Sequence, residues 1–94
     1  MLVVVFRAKI RNLDSDYVEA AQRLRDLALR EFGCLEFYSL TEGMDEVAIS
    51  YWPDSESIRR WKSRPDHLLA QESGREKWYE SYTVDIATVE RSYD

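Results

Sequence analysis

The order in which strand-like and helix-like periodicities follow one another restricts the fold of this chain more than any other feature. Residues 2–10 have the two-residue period of a β-strand, with an apolar side chain at every even position. Apolar side chains within residues 17–32 recur every three or four positions, which places them on one stripe of a helix. Asp14 or Ser15 can cap this helix, and Gly33 can end it because glycine adopts a left-handed conformation without strain. A strand followed by an amphipathic helix is therefore predicted.

A β-hairpin is predicted in the middle of the chain. Residues 34–41 and 46–52 both alternate in side-chain character, and Gly43 lies in the short segment between them. Glycine supplies the positive φ angle that a tight turn requires. Two alternating stretches joined by such a turn form an antiparallel pair of strands.

Two short helices and a last strand are predicted to follow the hairpin. Asp54 or Ser55 can cap the first of these helices. Pro65 interrupts it, because proline disfavours helical backbone in the residue before it. A second helix begins at Pro65 or the next residue, since proline is favoured in a first helical turn. The final strand is predicted over residues 82–91.

The predicted elements follow the order strand, helix, strand, strand, helix, strand. That order is the split βαβ pattern of ferredoxin-like folds, an α+β class with helices on one face of a four-stranded antiparallel sheet. The chain is short enough to form a single domain over residues 1–94. Because the other sheet face is left bare and apolar, we predict a symmetric homodimer that closes face to face.

Charge and cysteine content exclude several classes of protein. The chain has 13 basic and 18 acidic residues, a net charge of −5, whereas proteins that bind nucleic acid or anionic membranes present basic surfaces. No apolar run reaches the ~18 residues that span a bilayer, and the apolar start is too short for a signal peptide. Cys34 is the only cysteine, so no disulfide forms within the chain. We expect a cytoplasmic protein without nucleic-acid or membrane partners.

The stretch before the last strand concentrates the side chains best suited to a binding site. Trp61 precedes a set of residues that lie nearly in one line along the second short helix. These residues are His67, Gln71, Gly74 and Trp78. Such a line can border an apolar cavity that holds a few polar groups. Alternatively, both tryptophans fill the core and His67 is a satisfied or exposed helix residue.

Glycine within a helix is a further indication of close packing in this stretch. Gly74 costs about 1 kcal/mol relative to alanine, which is tolerated where a ligand or a packed side chain approaches closely. The rest of the chain offers no metal site, since its one histidine and one cysteine are not paired and no loop concentrates carboxylates. No phosphate-binding loop or nucleophile elbow is present either.

Three segments carry a family signature: FGCL at 32–35, ISYWPDSESIRRWKSRPDH at 49–67 and AQESGREKWYESY at 70–82. In the last two, a helical tryptophan is followed by a histidine and then by A-Q, G-R and W-Y pairs. Over nearly its whole length the chain resembles the antibiotic biosynthesis monooxygenase domain family. The resemblance implies a dimeric α+β barrel. That family includes oxygenases of quinol-like or polyketide aromatics that use no metal, flavin or other cofactor, and it also includes haem-degrading relatives.

The resemblance implies roles for individual positions. Trp61 corresponds to the pocket tryptophan of the family's helix, and His67 stands where the polyketide oxygenases have a tyrosine. Gln71 stands ten residues after Trp61, where the haem-degrading branch has a histidine ligand. Haem degradation is therefore not favoured, and no cofactor or metal is expected.

The function implied by the resemblance is cofactor-independent monooxygenation, with O2 and a small aromatic, phenolic or quinol-type substrate as partners. Such a site binds its substrate away from water, helps to remove a proton and stabilises the resulting oxyanion. His67 is the predicted base, because an unperturbed histidine has a pKa of ~6.5. The predicted catalytic residues are His67 and Trp61, and the predicted substrate-binding residues are Trp78, Gln71, Arg75 and Tyr51. The alternative is a non-catalytic dimer that binds or senses a small ligand in the same cavity.

Overall fold

The computed structural model describes all residues from Met1 to Asp94. Its strands are β1 (Leu2–Ile10), β2 (Glu36–Glu42), β3 (Asp45–Trp52) and β4 (Tyr79–Thr88). Its helices are α1 (Ser15–Glu31), α2 (Ser55–Lys62) and α3 (Pro65–Ser73), and a single π-helical turn, here called the π turn (Gly74–Trp78), follows α3. The predicted order of strands and helices is confirmed, with the second helical region divided at Pro65.

All four strands form one antiparallel sheet in the order β2-β3-β1-β4. β1 is a central strand, and its Val4 lies opposite Ser50 of β3 and Ile86 of β4. The helices pack on one face of this sheet, where the core residues of α1 and α2 meet those of β1 and β3. The predicted ferredoxin-like α+β fold is therefore confirmed.

One face of β3 lies beneath the helices. Ser50 and Trp52 of β3 are buried there, and the Trp52 indole donates a hydrogen bond to Ser50 Oγ at 2.9 Å. Trp52 packs against Trp61 of α2, with ring centroids 5.2 Å apart. Two large rings occupy this end of the interface, and the small side chain of Ser50 leaves open space beside them.

The opposite sheet face, here called the far face, carries exposed or half-buried apolar side chains. Val5 lies opposite Ile49, and Ile49 lies opposite Tyr38 of β2. Leu40, on the same face, is 77% exposed. Within one chain no element covers these residues. No helix is both long enough and apolar enough to cross a membrane.

The helix ends follow the capping chemistry expected from the sequence. Asp14 caps α1 by accepting a hydrogen bond from the Tyr17 amide at 2.9 Å, and Asp54 caps α2 in the same way. Gly33 has a φ angle of 79°, as its predicted place after α1 requires. The amide of Cys34 then bonds to the end of α1 rather than to a strand, so β2 begins two residues later than predicted.

The end of the second helical region differs from the prediction. Helical backbone reaches Trp78 as expected, but its geometry changes from α to π at Gly74, and the π turn leads directly into β4 at Tyr79. The Trp78 carbonyl accepts hydrogen bonds from the amides of Arg11 and Asn12. These long-range bonds hold the chain at the sheet edge, and β4 consequently starts three residues earlier than predicted.

Candidate functional site

A cavity of about 680 Å³ lies between the helices and the sheet face that they cover. Most of its lining is apolar, including Val4 and Phe6 of β1 and Leu24 of α1. The volume lies within the ~300–1,000 Å³ that is usual for small-molecule pockets. Two groups of side chains, described below as its two ends, contain the buried polar groups of this lining, His67 and Glu46.

The first end is formed by Trp61 and His67. The Trp61 indole donates a hydrogen bond to the Leu24 carbonyl oxygen at 3.0 Å, which fixes the ring against α1. The His67 ring lies edge-on to it, with centroids 4.4 Å apart. His67 Nδ1 is buried and has no hydrogen-bond partner. An unpartnered buried nitrogen is unfavourable in a protein interior, so a ligand that binds it would relieve that cost.

His67 is less basic than the sequence led us to expect. Burial, and then the positive charge of Lys62, lowers the pKa of His67 from 6.5 to about 4. The imidazole is therefore neutral at physiological pH. It can donate or accept one hydrogen bond with a ligand, but it takes up a proton less readily than an unperturbed histidine.

The second end is formed by the π turn and the start of α1. Trp78 packs edge-on against Tyr17 with centroids 5.3 Å apart, and its indole donates a hydrogen bond to Asp14 Oδ1 at 3.1 Å. Asp14 therefore caps α1 and holds Trp78 with the same oxygen. Gly74 allows the Tyr79 ring to approach closely, since a Cβ at this position would lie 3.1 Å from Tyr79 Cδ2.

A buried carboxyl group at this second end was not anticipated from the sequence. Glu46 of β3 is only 4% exposed, and its Oε2 accepts a hydrogen bond from the Tyr79 hydroxyl at 2.6 Å. Burial raises the pKa of Glu46, and the hydrogen bond from Tyr79 partly opposes that rise. Burial also raises the pKa of the Tyr79 hydroxyl, which therefore stays protonated and acts as the donor.

The two-residue period of β3 indicates to which sheet face Glu46 belongs. Glu46 has the same parity as Ser50 and Trp52, so it belongs to the face that lies beneath the helices. The other face of β3, with Val47 and Ile49, is more apolar and is the more natural core face on sequence alone. Only the packing of the helices shows which face is covered.

The remaining predicted site residues lie in three different places. Gln71 lines the cavity. Arg75 is exposed and does not line it, although its guanidinium donates a weak hydrogen bond of 3.4 Å to the hydroxyl of the lining residue Tyr82. Tyr51 lies opposite Val3 on the far face, so the expectation that it contacts a ligand in this cavity does not hold within one chain.

The two ends of the cavity are separated along α1. Tyr17 packs against Tyr79 at the second end, and Leu24 bonds to Trp61 at the first. These two α1 residues are seven positions apart, which corresponds to about 10 Å of helix rise. The cavity therefore joins a neutral imidazole and a buried carboxyl across an aromatic-lined space. No three histidine, cysteine or acidic side chains are grouped closely enough to hold a metal ion.

Comparison with known proteins identifies relatives over most of the chain. YqjZ of Bacillus subtilis, an uncharacterised protein, is 36% identical over 89 residues, covering 94% of this chain and 78% of YqjZ. Jasmonate monooxygenase ABM of Pyricularia oryzae is 29% identical over 96 residues, covering 98% of this chain. The chain spans only 45% of that fungal enzyme's length. No protein-family profile matches the chain.

The fold agrees with these relationships. SnoaB of Streptomyces nogalater, a cofactor-independent oxygenase, superposes with a TM-score of 0.78 over 97% of this chain and 94% of SnoaB. The chain belongs to the antibiotic biosynthesis monooxygenase domain family. At 18% identity, the likeness to SnoaB establishes the shared fold.

Proposed function

We propose that this protein is a cofactor-independent monooxygenase of a small aromatic substrate of phenolic, quinol or anthrone type. The observation that carries the proposal is the cavity, whose largely apolar lining includes aromatic rings, with His67 beside Trp61 at one end and Glu46 beside Tyr79 at the other. Membership of the monooxygenase family supports it, as does the shared fold of SnoaB, a cofactor-independent oxygenase. The activity of the longer fungal relative suggests that the family's chemistry extends to non-aromatic substrates as well.

The proposed reaction needs no external reductant. In an anthrone-type substrate, one CH2 group loses two hydrogens and becomes a carbonyl group. One atom of O2 becomes that carbonyl oxygen, and the other leaves as water with the two hydrogens. All the electrons that reduce O2 come from the substrate, once loss of a proton has made it electron-rich. The protein contributes binding, exclusion of water and stabilisation of the oxyanion.

We assign the following roles to the cavity residues. Trp61 and Trp78 form aromatic walls at the two ends, and Gln71 offers an amide to a substrate oxygen. His67 contributes its unpartnered Nδ1 as a neutral hydrogen-bonding group for the substrate oxygen. Arg75 lies outside the lining beside the Tyr82 hydroxyl, and its positive charge there attracts an anionic intermediate.

Oxygen consumption by protein freed of metal and flavin tests this proposal directly. A panel of quinols, anthrones and naphthols should include at least one compound whose addition causes uptake. Replacing His67 by alanine should lower turnover at least about tenfold, as loss of one hydrogen bond to developing charge does. Leu69→Ala is a matched control, because Leu69 is exposed on α3 and does not line the cavity.

The same measurements distinguish an enzyme from a binding protein. Quenching of tryptophan fluorescence by a panel compound, without oxygen uptake, would favour a ligand-binding or sensing role. Uptake that is unaffected in both Trp61→Phe and His67→Ala would place the reaction outside this cavity. The protein is further proposed to act as a cytoplasmic homodimer, and the apolar far face supports the dimer.

A further inference from the structure

Glu46 has no role in the function proposed above, although its position is energetically unfavourable. It is the one charged residue that is buried, and no basic side chain forms an ion pair with it. A buried carboxylate without a cation costs free energy, because burial removes its hydration. The Tyr79 hydroxyl provides its one side-chain hydrogen bond, to Oε2. Since Glu46 also lines the cavity, Oε1 is the oxygen that remains for a ligand.

Tyr79 holds this carboxyl in one orientation. Its ring is fixed between Phe6, at 5.4 Å, and Tyr17, at 6.2 Å between ring centroids. Gly74 leaves room for the ring edge. A short hydrogen bond from a ring that is itself immobilised orients the carboxyl group, as catalytic carboxylates require.

The surroundings of Glu46 contain few other titratable groups. Its strand neighbours are Ala8 of β1 and Thr41 of β2, neither of which ionises. The nearby titratable groups that also line the cavity are the phenols Tyr17, Tyr79 and Tyr82. The charged or ionisable side chains elsewhere in the lining are Arg25, Asp26, Arg30, Lys62 and His67. Among all of these, only Tyr79 shifts the pKa of Glu46.

We propose that Glu46 is the proton acceptor of the reaction and takes the acidic hydrogen of the substrate through Oε1, with Tyr79 as its positioning residue. The inference rests on the proposed oxygenase function and deepens it. For an anthrone, the C–H bond opposite the carbonyl breaks and the proton forms an O–H bond with Glu46. The electron pair moves through the ring to the carbonyl oxygen, which becomes the oxyanion. No electron reaches O2 in this step.

The geometry also restricts the substrate. His67 and Glu46 lie at opposite ends of a cavity whose ends are about 10 Å apart along α1. A substrate that meets both groups has its acidic hydrogen and its oxyanion at opposite ends of an aromatic nucleus. Burial raises the pKa of Glu46 towards working pH and lowers that of His67 away from it, which agrees with this division of roles.

Hydrogen–deuterium exchange of anthrone measures proton removal separately from oxygenation. Anthrone is incubated with the protein in D2O without oxygen, and deuterium at the acidic carbon is followed by mass spectrometry. The wild-type protein should accelerate exchange, and Glu46→Gln should lose about 100-fold or more of that acceleration. The glutamine carbonyl can still accept the Tyr79 hydrogen bond, so the variant should fold. Glu42→Gln is the matched control, because Glu42 is an exposed hairpin residue away from the cavity.

Tyr79→Phe tests the positioning role and keeps the carboxyl group. The Tyr79 hydrogen bond lowers the pKa of Glu46, so its removal should raise that pKa. Glu46 would then be protonated at higher pH, and the acid limb of the rate–pH profile should move to higher pH. A residue with a merely structural role would lower the rate without moving this limb. An unmoved acid limb in a folded Tyr79→Phe variant would overturn the assignment of both residues.

The outcomes separate this inference from the proposed function. Exchange that depends on Glu46, without oxygen uptake from anthrone in air, would retain the proton acceptor and reject the oxygenase. Oxygen uptake that persists in Glu46→Gln would retain the oxygenase and reject the proton acceptor. Absence of any accelerated exchange by the wild-type protein would also reject the role of Glu46 as proton acceptor. Loss of exchange in His67→Gln but not in Glu46→Gln would return the role of base to His67.

Discussion

His67 shows how burial changes the chemistry of a single residue. A histidine near aromatic residues suggested a base with an ordinary pKa, but the neutral form predominates because burial and Lys62 both disfavour a second positive charge. Its neighbour Trp61 is at once a core residue and part of the cavity wall. The two alternatives predicted for Trp61, a core residue or a cavity wall, therefore do not exclude each other. Glu46 is the complementary case, a charged residue on a face that becomes buried.

The pKa of His67 predicts that acid weakens the fold through this residue. The unfolded chain takes up a proton near pH 6.5 and the folded protein only near pH 4, so stability is lost as pH falls through this window. His67→Gln should remove this loss, which we expect to be roughly 1–2 kcal/mol between pH 7 and pH 5. Urea unfolding of both proteins across this range measures the difference.

Comparing the wild-type protein with His67→Gln separates the pH dependence that comes from His67 from that of the buried carboxyl group of Glu46. The raised pKa of Glu46 acts in the opposite direction, since stability from that group falls as pH rises. Glu46 is present in both proteins, so its contribution cancels when their free energies of unfolding are subtracted. A difference that stays constant from pH 7 to pH 5 would show that His67 is solvated in the folded state.

At the level of elements, the π turn is where local sequence preference and the tertiary structure disagree. The aligned positions of His67 and Trp78 predicted one continuous α-helix, and the backbone stays helical to Trp78 but takes π geometry after Ser73. The carbonyl of Trp78 bonds to two amides after β1, and its indole bonds to the cap of α1. The partners of Trp78 in these hydrogen bonds lie more than sixty positions earlier in the chain, so no local sequence pattern predicts them.

The double role of Asp14 predicts an energetic coupling between the start of α1 and the π turn. Asp14→Ala should cost about 0.5–2 kcal/mol for the lost cap, and Trp78→Phe should cost less in that background than in the wild-type protein. The reason is that both substitutions remove the same indole–carboxylate hydrogen bond. A double-mutant cycle measured by urea unfolding should give a coupling of about 0.5 kcal/mol or more.

Asp54→Ala supplies the control for this cycle. Asp54 caps α2 through the Ser57 amide at 2.8 Å but accepts no indole hydrogen bond. The destabilisation caused by Asp54→Ala should therefore add to the destabilisation caused by Trp78→Phe, with no coupling energy between them. Equal coupling in both cycles would indicate a general destabilisation rather than a specific link through Asp14.

For the whole molecule, the far face is energetically unfavourable in a single chain because its apolar side chains remain exposed. Val5, Ile49, Tyr38 and their neighbours form an apolar surface that no element of the same chain covers. Tyr51 lies on this face, so its predicted contribution to ligand binding gives way to a proposed contribution to dimer contacts. A domain of this size gains stability by burying such a surface against a second copy.

Ile49→Lys should therefore disrupt the proposed homodimer. A lysine at the centre of an apolar interface buries an unpaired charge in each protomer, so dimerisation should weaken by about 100-fold or more. Sedimentation velocity over a concentration series measures this change. Leu69→Lys is the matched control, since Leu69 is 64% exposed on α3, on the other side of the molecule from the far face. A monomeric wild-type protein, or equal dimerisation of both variants, would contradict the prediction.

The sequence by itself determined the order of elements, the pairs of residues among which the helix caps lie, and the helix end at Gly33, because these depend on neighbouring residues and on the conformational limits of the backbone. The structure decided for Asp14 over Ser15 and for Asp54 over Ser55. It also determined the family, through segments that share an ordered pattern of residues. Only the tertiary structure decided that Glu46 is buried beside Tyr79, because that depends on which sheet face the helices cover. The same applies to the π turn, whose long-range hydrogen bonds reach back to the segment between the first strand and the first helix. Local periodicity describes which residues share a face, whereas packing between distant segments selects the face that becomes the site.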